Sequence, residues 1–367
     1  MQSLDAEIRK MKLCARYITI AAAITLAPMF VNAHELTEHL SLDGVLSAAA
    51  QCQFLSETTA GDDTCKGAIP LQPELTYRPR KHHRFLLKLG FAAGNSLNEV
   101  SPFNIPSWGA DVENDVKDIN GSGRDHLLEA WYEYAFEFEA RNRLELTAGI
   151  IDASRYLDQN AYANDEYVQF MNPALSNAPN TLLPSYDLGI AATWLVGKWS
   201  FSGVVMDVHQ FTSPDNYTFY GLQAGYRLKS RLGTGNYRIL LNGDRSLIDL
   251  SGTSKQKNDI LIFSLDQQLG NTIGAFTRFG WRLDAEIINY RALYSGGIDI
   301  KGTAWNRILD NIGIGLVYLE GGNNRIEYTR IAEAYYRMVI NPHLALTADI
   351  QYTRDEYIQI QGAEGYI

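Results

Sequence analysis

Regular alternation of apolar and polar residues, repeated along most of the chain, is the feature that most limits the fold. In "EAWYEYAFEFEA", residues 129–140, four aromatic residues share one face and the glutamates share the other. In "HLALTADIQYT", residues 343–353, aliphatic residues take the place of the aromatic ones. A period of two residues is the signature of β-strands with one apolar face.

Fifteen such segments follow one another, and each approaches the roughly 9–11 residues that a tilted strand needs to cross a membrane. They are residues 40–53, 68–78, 84–94, 126–139, 143–152, 186–196, 199–209, 218–229, 235–245, 259–269, 273–282, 290–300, 310–320, 325–340 and 343–354. The pattern predicts an all-β fold, a transmembrane antiparallel β-barrel of about sixteen strands. A secreted β-sandwich or solenoid is the alternative, because its strands also alternate.

The connections between these segments alternate in length. Short ones such as "RN", "GK" and "NP" take turns with long ones at 95–125, 153–185 and 246–258, and the 301–309 link is the exception on the short side. Outer-membrane barrels show this asymmetry, with short periplasmic turns and long outer loops. After the fifteenth segment only "YI" at 366–367 resembles the start of a strand, so we expect the last strand to be truncated in this chain.

The N-terminus predicts export. Basic residues precede the apolar run "YITIAAAITLAPMF", and "VNA" ends at residue 33, which is the arrangement of a secretory signal peptide. A membrane helix is the weaker interpretation, since the run falls short of the roughly 20 residues of a span and contains Pro28. The predicted division is therefore a signal peptide, residues 1–33, and an outer-membrane barrel, residues 34–367. The exported part holds Cys52 and Cys65, for which a disulfide and two free thiols both stay open.

Net charge and motifs argue against several function classes. A net charge of −10 without clustered Lys and Arg disfavours nucleic acid. No cofactor is predicted, because no Gly-rich phosphate loop is visible. No metal site is predicted either; residues 118–129 follow the outline of a calcium loop, but a solvated turn is the default interpretation. An enzyme is not predicted, since G-x-S-x-G is absent and no Ser, His and acid share one strand face.

The connection at 153–185, called here the second long loop, contains the polar stretch "NAYANDEYVQF". If this loop folds into the barrel, its hydrogen-bonding side chains form a constriction that binds sugar hydroxyls. The candidate residues are Arg155, Asn160, Tyr162, Asn164, Asp165, Glu166 and Gln169. The alternative is that these residues fasten the loop to the wall, and both roles are compatible.

The polar faces of the predicted strands supply the lumen wall. The candidate wall residues are Glu129, Trp131, Glu133, Arg143, Arg278, Arg282, Glu333, Arg337 and Asp349. Acids and bases nearly balance on these faces, whereas an anion-selective pore would carry a ring of Lys and Arg. The wall therefore predicts passage of small, largely neutral solutes.

The run "LTAGIIDASRYLDQNAYANDEYVQFMNPALSNAP", residues 146–179, resembles the OprB-type family of carbohydrate-selective porins, through "NAYANDE", "QFMN" and "NAP". The segments "FAAGNSLNEVSPFN" and "DNIGIGLVYLEGG" are similar to other parts of that pattern. The resemblance implies a barrel of about sixteen strands that lets small carbohydrate solutes diffuse across the outer membrane of a Gram-negative bacterium.

The same interpretation sets the expected partners. They are small carbohydrates, outer-membrane lipid and the barrel-insertion machinery, with a homotrimer as an expected assembly and no nucleic acid. Two other classes stay open: a surface-binding or adhesion barrel without a conducting pore, and an outer-membrane hydrolase.

Overall fold

The structure is a computed structural model that describes residues 25–27, 34–58, 61–139, 141–178, 183–210, 213–248, 255–284, 288–358 and 362–367. Its strands, in chain order, are β1 Thr25–Ala27, β2 His34–Thr37, β3 Leu40–Leu46, β4 Ala49–Glu57, β5 Thr64–Arg80, β6 His83–Leu89, β7 Phe91–Ala93, β8 Leu127–Glu139, β9 Asn142–Ile151, β10 Asp187–Val196, β11 Trp199–Gln210, β12 Ser213–Ser230, β13 Gly233–Ile248, β14 Lys255–Leu269, β15 Ile273–Asp284, β16 Tyr290–Lys301, β17 Asn311–Gly321, β18 Ile326–Asn341, β19 Leu344–Tyr357 and β20 Ala363–Tyr366. Two short helices lie between strands, α1 Glu113–Val116 and α2 Pro173–Ser176, and three 3-10 turns span Ile119–Gly121, Ala153–Arg155 and Gly302–Trp305. No helix in this described part of the chain is long and apolar enough to span a membrane.

The strands pair antiparallel into one closed barrel of sixteen positions. β3 and β4 both pair with β5 and together form the first position, and β6 and β7 together form the third. The following strands pair in chain order through β19. β20 lies between β19 and β4 and completes the ring at the end that carries the long loops, called here the long-loop end. The predicted barrel class and strand number are confirmed.

The sixteenth position is shared by both ends of the chain. Ala363–Tyr366 supplies its part at the long-loop end, and Ile367 exchanges two backbone hydrogen bonds with Gln351. Thr25–Ala27 pairs with β19 near its other end, and β2 pairs with β3. The predicted signal peptide, residues 1–33, otherwise lies outside the described residues, and it stays a prediction.

Alternation along each strand separates an outer apolar face from an inner polar one. On β17, Ile314 and Leu316 are 45% and 62% exposed, whereas Gly315 and Val317 are buried. Rings concentrate near the strand ends on the outer face, for example Trp199, whose ring contacts that of Tyr226 at a tilt of 58° with the centroids 4.7 Å apart. Apolar bands flanked by aromatic girdles are the lipid-facing surface of a membrane barrel.

Cys52 and Cys65 are paired residues on β4 and β5 and form a disulfide, with their Cα atoms 4.0 Å apart. The bond closes the hairpin whose turn lies at the long-loop end. It therefore ties β4, which pairs with β20 where the ring closes, to the next strand, β5.

Candidate functional site

The second long loop crosses the interior of the barrel. It begins at the 3-10 turn Ala153–Arg155 and contains α2, which starts after Asn172, whose side chain accepts a hydrogen bond from the backbone N–H of Ala174 at 3.0 Å. Leu157, Phe170 and Leu175 of this loop are fully buried against the inner faces of the strands. The loop is therefore part of the barrel's interior, with a packed apolar side of its own.

Arg278 of β15 fastens this loop to the barrel wall, and its side chain is fully buried. Its Nε lies 2.8 Å from an oxygen of Asp158, and its Nη1 donates to the carbonyl of Leu175 at 2.5 Å. Its Nη2 donates to the carbonyls of Ala163 and Ser176. One guanidinium thus binds both halves of the loop through charge-assisted hydrogen bonds, and each of its nitrogens has a partner.

Other wall residues hold the loop at different points around the barrel. Glu333 of β18 is buried and accepts hydrogen bonds from the backbone N–H groups of Met171 and Asn172 at 2.6 and 3.1 Å. On the opposite side, Arg155 donates to Glu129 of β8 through Nε and Nη2 at 3.0 and 2.8 Å. The loop therefore spans the lumen from wall to wall.

Glycines on the wall leave room for the apolar side of the loop. A Cβ on Gly315 of β17 would lie 2.7 Å from one methyl of Leu175 and 2.9 Å from the ring of Phe170. A Cβ on Gly274 of β15 would overlap the ring of Tyr162. The loop can approach these strands only because no side chain is present there.

Replacing Gly315 by alanine is expected to lower the free energy of unfolding by about 1–3 kcal/mol, because the added methyl overpacks a filled interior. The matched control is Gly203→Ala on β11, where the nearest atom to a new Cβ is a methyl of Leu222 at an ordinary 3.4 Å. The measurement is denaturant unfolding of both variants in detergent. Equal stabilities would show that the loop does not pack against β17.

Most of the predicted constriction residues hold the loop in shape. Asp165 accepts from the backbone N–H groups of Tyr167 and Val168, and Gln169 donates to the carbonyl of Ala161 at 3.0 Å. Asn160 donates to the carbonyl of Leu265 at 3.3 Å on β14. Tyr162 packs against the apolar cluster of the interior, and Arg155 is held by Glu129.

Two of the predicted residues, Asn164 and Glu166, line a cavity of about 720 Å³ at the long-loop end. The other polar groups around it include Asp111, Asp152, Tyr186, Arg282, Asn289 and Asn324. A volume in the range of roughly 300–1,000 Å³ is typical of small-molecule sites. The cavity therefore offers amides, carboxyls, a hydroxyl and a guanidinium to an entering solute.

The cavity has a second wall that the sequence analysis did not predict. The connection at 95–125, called here the first long loop, also folds inward, and its Trp108 is fully buried. Trp108 Nε1 donates to the backbone carbonyl of Glu166 at 3.2 Å, and the N–H of Gly109 donates to the carbonyl of Met171 at 3.0 Å. The apolar content of this loop, including Val112 and Val116, was the available signal, because a solvated loop gains nothing from such residues.

The first long loop also places Asp111 at the cavity. Its carboxylate accepts hydrogen bonds from Tyr186 Oη at 2.8 Å and from the side chain of Gln72. Burial raises the pKa of Asp111 to about 6. Burial and the neighbouring Asp165 raise the pKa of Glu166 to about 8. Glu166 is thus mainly protonated at neutral pH and able to donate a hydrogen bond.

The predicted wall residues all lie on β8, β9, β15, β18 and β19. Several of the charges there are paired: Arg84 pairs with Glu133 at 2.6 Å, and Arg143 pairs with Glu145 at 2.9 Å near the short-turn end. Arg282 donates to Asn258 at 2.5 Å, Arg337 is half-buried, and Asp349 accepts from Gln351 at 3.1 Å. Such pairing produces no ring of one sign along the described wall.

The two aromatic residues on the predicted polar face are covered. The guanidinium groups of Arg84 and Arg155 lie 4.9 and 5.6 Å from the ring centroid of Trp131, which is 3% exposed. Tyr335 is 2% exposed and meets Phe170 edge to face at 5.1 Å. Both rings fill the interior, so neither presents a free face to a sugar in this structure.

The side chains at 118–129, which follow the outline of a calcium loop, bind other groups of the protein. Its last position, Glu129, is bound by Arg155 and by Trp131 Nε1 at 2.9 Å. Asp118 accepts from the backbone N–H of Gly123, and Asp125 accepts from the N–H of Asp118 at 3.0 Å. Within the described ranges no three acidic, His or Cys side chains come together as metal ligands do.

Comparison with known proteins gives three matches that each cover most of the chain. The model of the family described as "Carbohydrate-selective porin, OprB family" matches residues 103–354. An uncharacterized protein of Aquifex aeolicus strain VF5 is 28% identical over 314 residues, which cover 82% of this chain and 89% of that protein. The high-pH structure of Pseudomonas putida OprB superposes with a TM-score of 0.65 at 14% identity, over 89% of this chain and 93% of that one.

Proposed function

Because the chain belongs to the OprB family of carbohydrate-selective porins, we propose that neutral sugars enter it through the cavity between its two long loops. The protein is an outer-membrane porin for carbohydrates, and its fold is that of a channel rather than an enzyme. What supports the route is the cavity itself, whose lining places polar groups from both loops and from the wall among apolar side chains. The long-loop end then faces outward from the cell.

Asn164 and Glu166 are the residues that we propose contact the sugar. Both line the cavity, and both are carried by a loop that is fixed to the wall on either side of them, through Asn160 and Met171. An amide offers donors and an acceptor, and a protonated carboxyl offers one donor and acceptors, so together they suit hydroxyl groups that do both. Arg155, Asn160, Tyr162, Asp165 and Gln169 are then positioning residues, because they hold the loop in this shape.

Single-channel recording in planar bilayers tests the proposal. Current through the wild-type barrel should be partly blocked by maltose or glucose, and the double variant Asn164→Ala, Glu166→Ala should lose the block while its conductance in salt stays equal or rises. Arg143→Gln, at the other end of the wall, is the control and should behave as wild type. Folded, inserted protein that does not conduct would contradict the proposal and favour a surface-binding barrel.

The charge of the cavity is expected to depend on pH. Asp111 and Glu166 have raised pKa values, about 6 and 8, so both are neutral at pH 5, and at pH 9 both are ionised. The ratio of cation to anion permeability should therefore rise in two steps, near pH 6 and near pH 8. Reversal potentials in a salt gradient measure it: Glu166→Gln should remove the upper step, and Asp111→Asn the lower one.

The same pKa values predict how the stability depends on pH. The folded protein binds the Glu166 proton more tightly than the unfolded chain does, so its contribution is complete below the ordinary pKa of 4.5. That contribution is lost as the pH rises through about 8. Resistance of the second long loop to proteolysis should therefore fall between these values in the wild type and vary less in Glu166→Gln. A wild type that resists equally at both limits would contradict the assigned shift.

Export and assembly complete the proposal. The basic residues, the apolar run and the small residues before His34 support removal of residues 1–33 on secretion, which would also remove Thr25–Ala27 from its pairing with β19. The barrel-insertion machinery would then place the chain in the outer membrane, where a homotrimer is the expected assembly. N-terminal sequencing of the mature protein and its mass in detergent test these two points separately.

A further inference from the structure

The outward face of the barrel carries two arginines side by side near the long-loop end. Arg330 of β18 and Arg354 of β19 are direct cross-strand partners. Their chain neighbours Thr329, Ile331 and Thr353 are buried on the inner face, so the two arginine side chains lie on the lipid-facing side. Arg330 is exposed, and the side chain of Arg354 is 37% exposed.

Like charges placed directly opposite each other on adjacent strands are destabilising, so this pair calls for a compensating partner. Arg354 lies 3.1 Å from Glu356 and 3.3 Å from Glu364. Arg330 has no carboxylate within 4.0 Å among the residues that the structure describes, and the nearby Glu320 pairs with Arg291. Instead, the guanidinium of Arg330 lies 4.6 Å from the ring of Tyr328 and 5.9 Å from that of Tyr318.

The depth of the pair in the membrane follows from its neighbours. Leu316, two residues from Tyr318 towards the middle of β17, is 62% exposed, and Ile350 on β19 is 58% exposed. These residues belong to the band that contacts hydrocarbon. Tyr318 and Tyr328 stack at 6.0 Å above that band, and tyrosines on the outer face mark the level of the lipid headgroups. The arginines therefore lie at headgroup level, where a charge is tolerated and anionic groups are present.

We propose that Arg330 and Arg354, flanked by Tyr318 and Tyr328, bind a phosphate group of a glycolipid in the outer leaflet of the membrane. Guanidinium forks match phosphate oxygens bidentately, and a single phosphate shared by both arginines supplies the anion that Arg330 lacks. The rings hold Arg330 in place by cation–π contact, which leaves its N–H groups directed to the ligand. This site is on the lipid-facing surface and is independent of solute passage through the lumen.

Binding of lipid A to the purified barrel in detergent tests the proposal, with native mass spectrometry as the readout. The double variant Arg330→Gln, Arg354→Gln is expected to bind lipid A at least about tenfold more weakly than the wild type, because it loses both charge-assisted donors. The control double variant Lys229→Gln, Arg231→Gln removes two exposed charges at the short-turn end and should bind as the wild type does. Unchanged conductance in salt shows that both variants are folded.

Further arms of the experiment identify the source of the phosphate. Lipid A from which both phosphates have been removed should bind wild-type protein and double variant equally weakly. Phosphatidylglycerol that competes as well as lipid A would overturn the assignment to a glycolipid. Equal affinity of wild type and double variant for lipid A would overturn the site, and so would a variant that changes only the oligomeric mass, because the patch would then contact a second copy.

Discussion

Replacing Arg278 by alanine is expected to detach the second long loop from the barrel wall and to enlarge the conducting path. The substitution leaves the buried Asp158 without its cation and removes the donor from the carbonyls of Leu175, Ala163 and Ser176. Removing one member of a buried pair costs about 3–5 kcal/mol, because the remaining charge is left uncompensated. We expect the loop to leave the wall rather than the barrel to unfold, because the hydrogen bonds between the strands do not involve the Arg278 side chain.

Two measurements separate this outcome from general destabilisation. Single-channel conductance should increase and sugar block should weaken, while limited proteolysis should cut the chain between residues 153 and 185. Arg278→Lys keeps the charge but not the fork of donors, so it should fall between wild type and alanine. Arg143→Ala is the control for losing a wall arginine, because the Arg143 side chain is 42% exposed and pairs with Glu145 at the wall rather than with the loop. A loop that stays protected in Arg278→Ala would refute the anchoring role.

The strands were predictable because two different solvents act on them. Each strand has one face in lipid and one in the lumen, and this imposes the two-residue period that is visible at residues 129–140 and 343–353. Where the strands extend beyond the membrane, that constraint ends and so does the signal. β14, for example, begins at Lys255 and β12 at Ser213, four and five residues before the predicted starts at 259 and 218.

The interior was only partly predictable. A polar loop between two strands indicates a site, and the chosen residues do lie inside the barrel, but their partners are far away in sequence. Arg278 and Asp158 are 120 positions apart, and nothing near either residue specifies the other. For the first long loop, neither its length nor its motifs mark Trp108 as part of the interior. Apolar content within a loop is the signal that predicts inward folding.

Replacing Trp108 by alanine is expected to separate the two long loops and to lower the free energy of unfolding by about 3–5 kcal/mol. Trp108 is fully buried and meets the ring of Tyr167 edge to face at 6.0 Å. It packs in a small cluster with Ala110, Val112 and Met171, which draws on both loops. Without the indole, both loops lose the surface through which they hold each other.

The matched variant Trp108→Phe keeps an aromatic ring but loses the hydrogen bond to the carbonyl of Glu166 and some buried volume, so it should cost about 1–3 kcal/mol, less than alanine. Limited proteolysis distinguishes this site from Arg278: alanine at position 108 should expose both 95–125 and 153–185, whereas alanine at position 278 should expose the second long loop first. Protection of the first long loop in Trp108→Ala would show that its hydrogen bonds to the wall, such as those with Asp355 and Gln351, are enough to hold it. In that case the cavity would have one movable wall, and sugar block would depend on the second long loop alone.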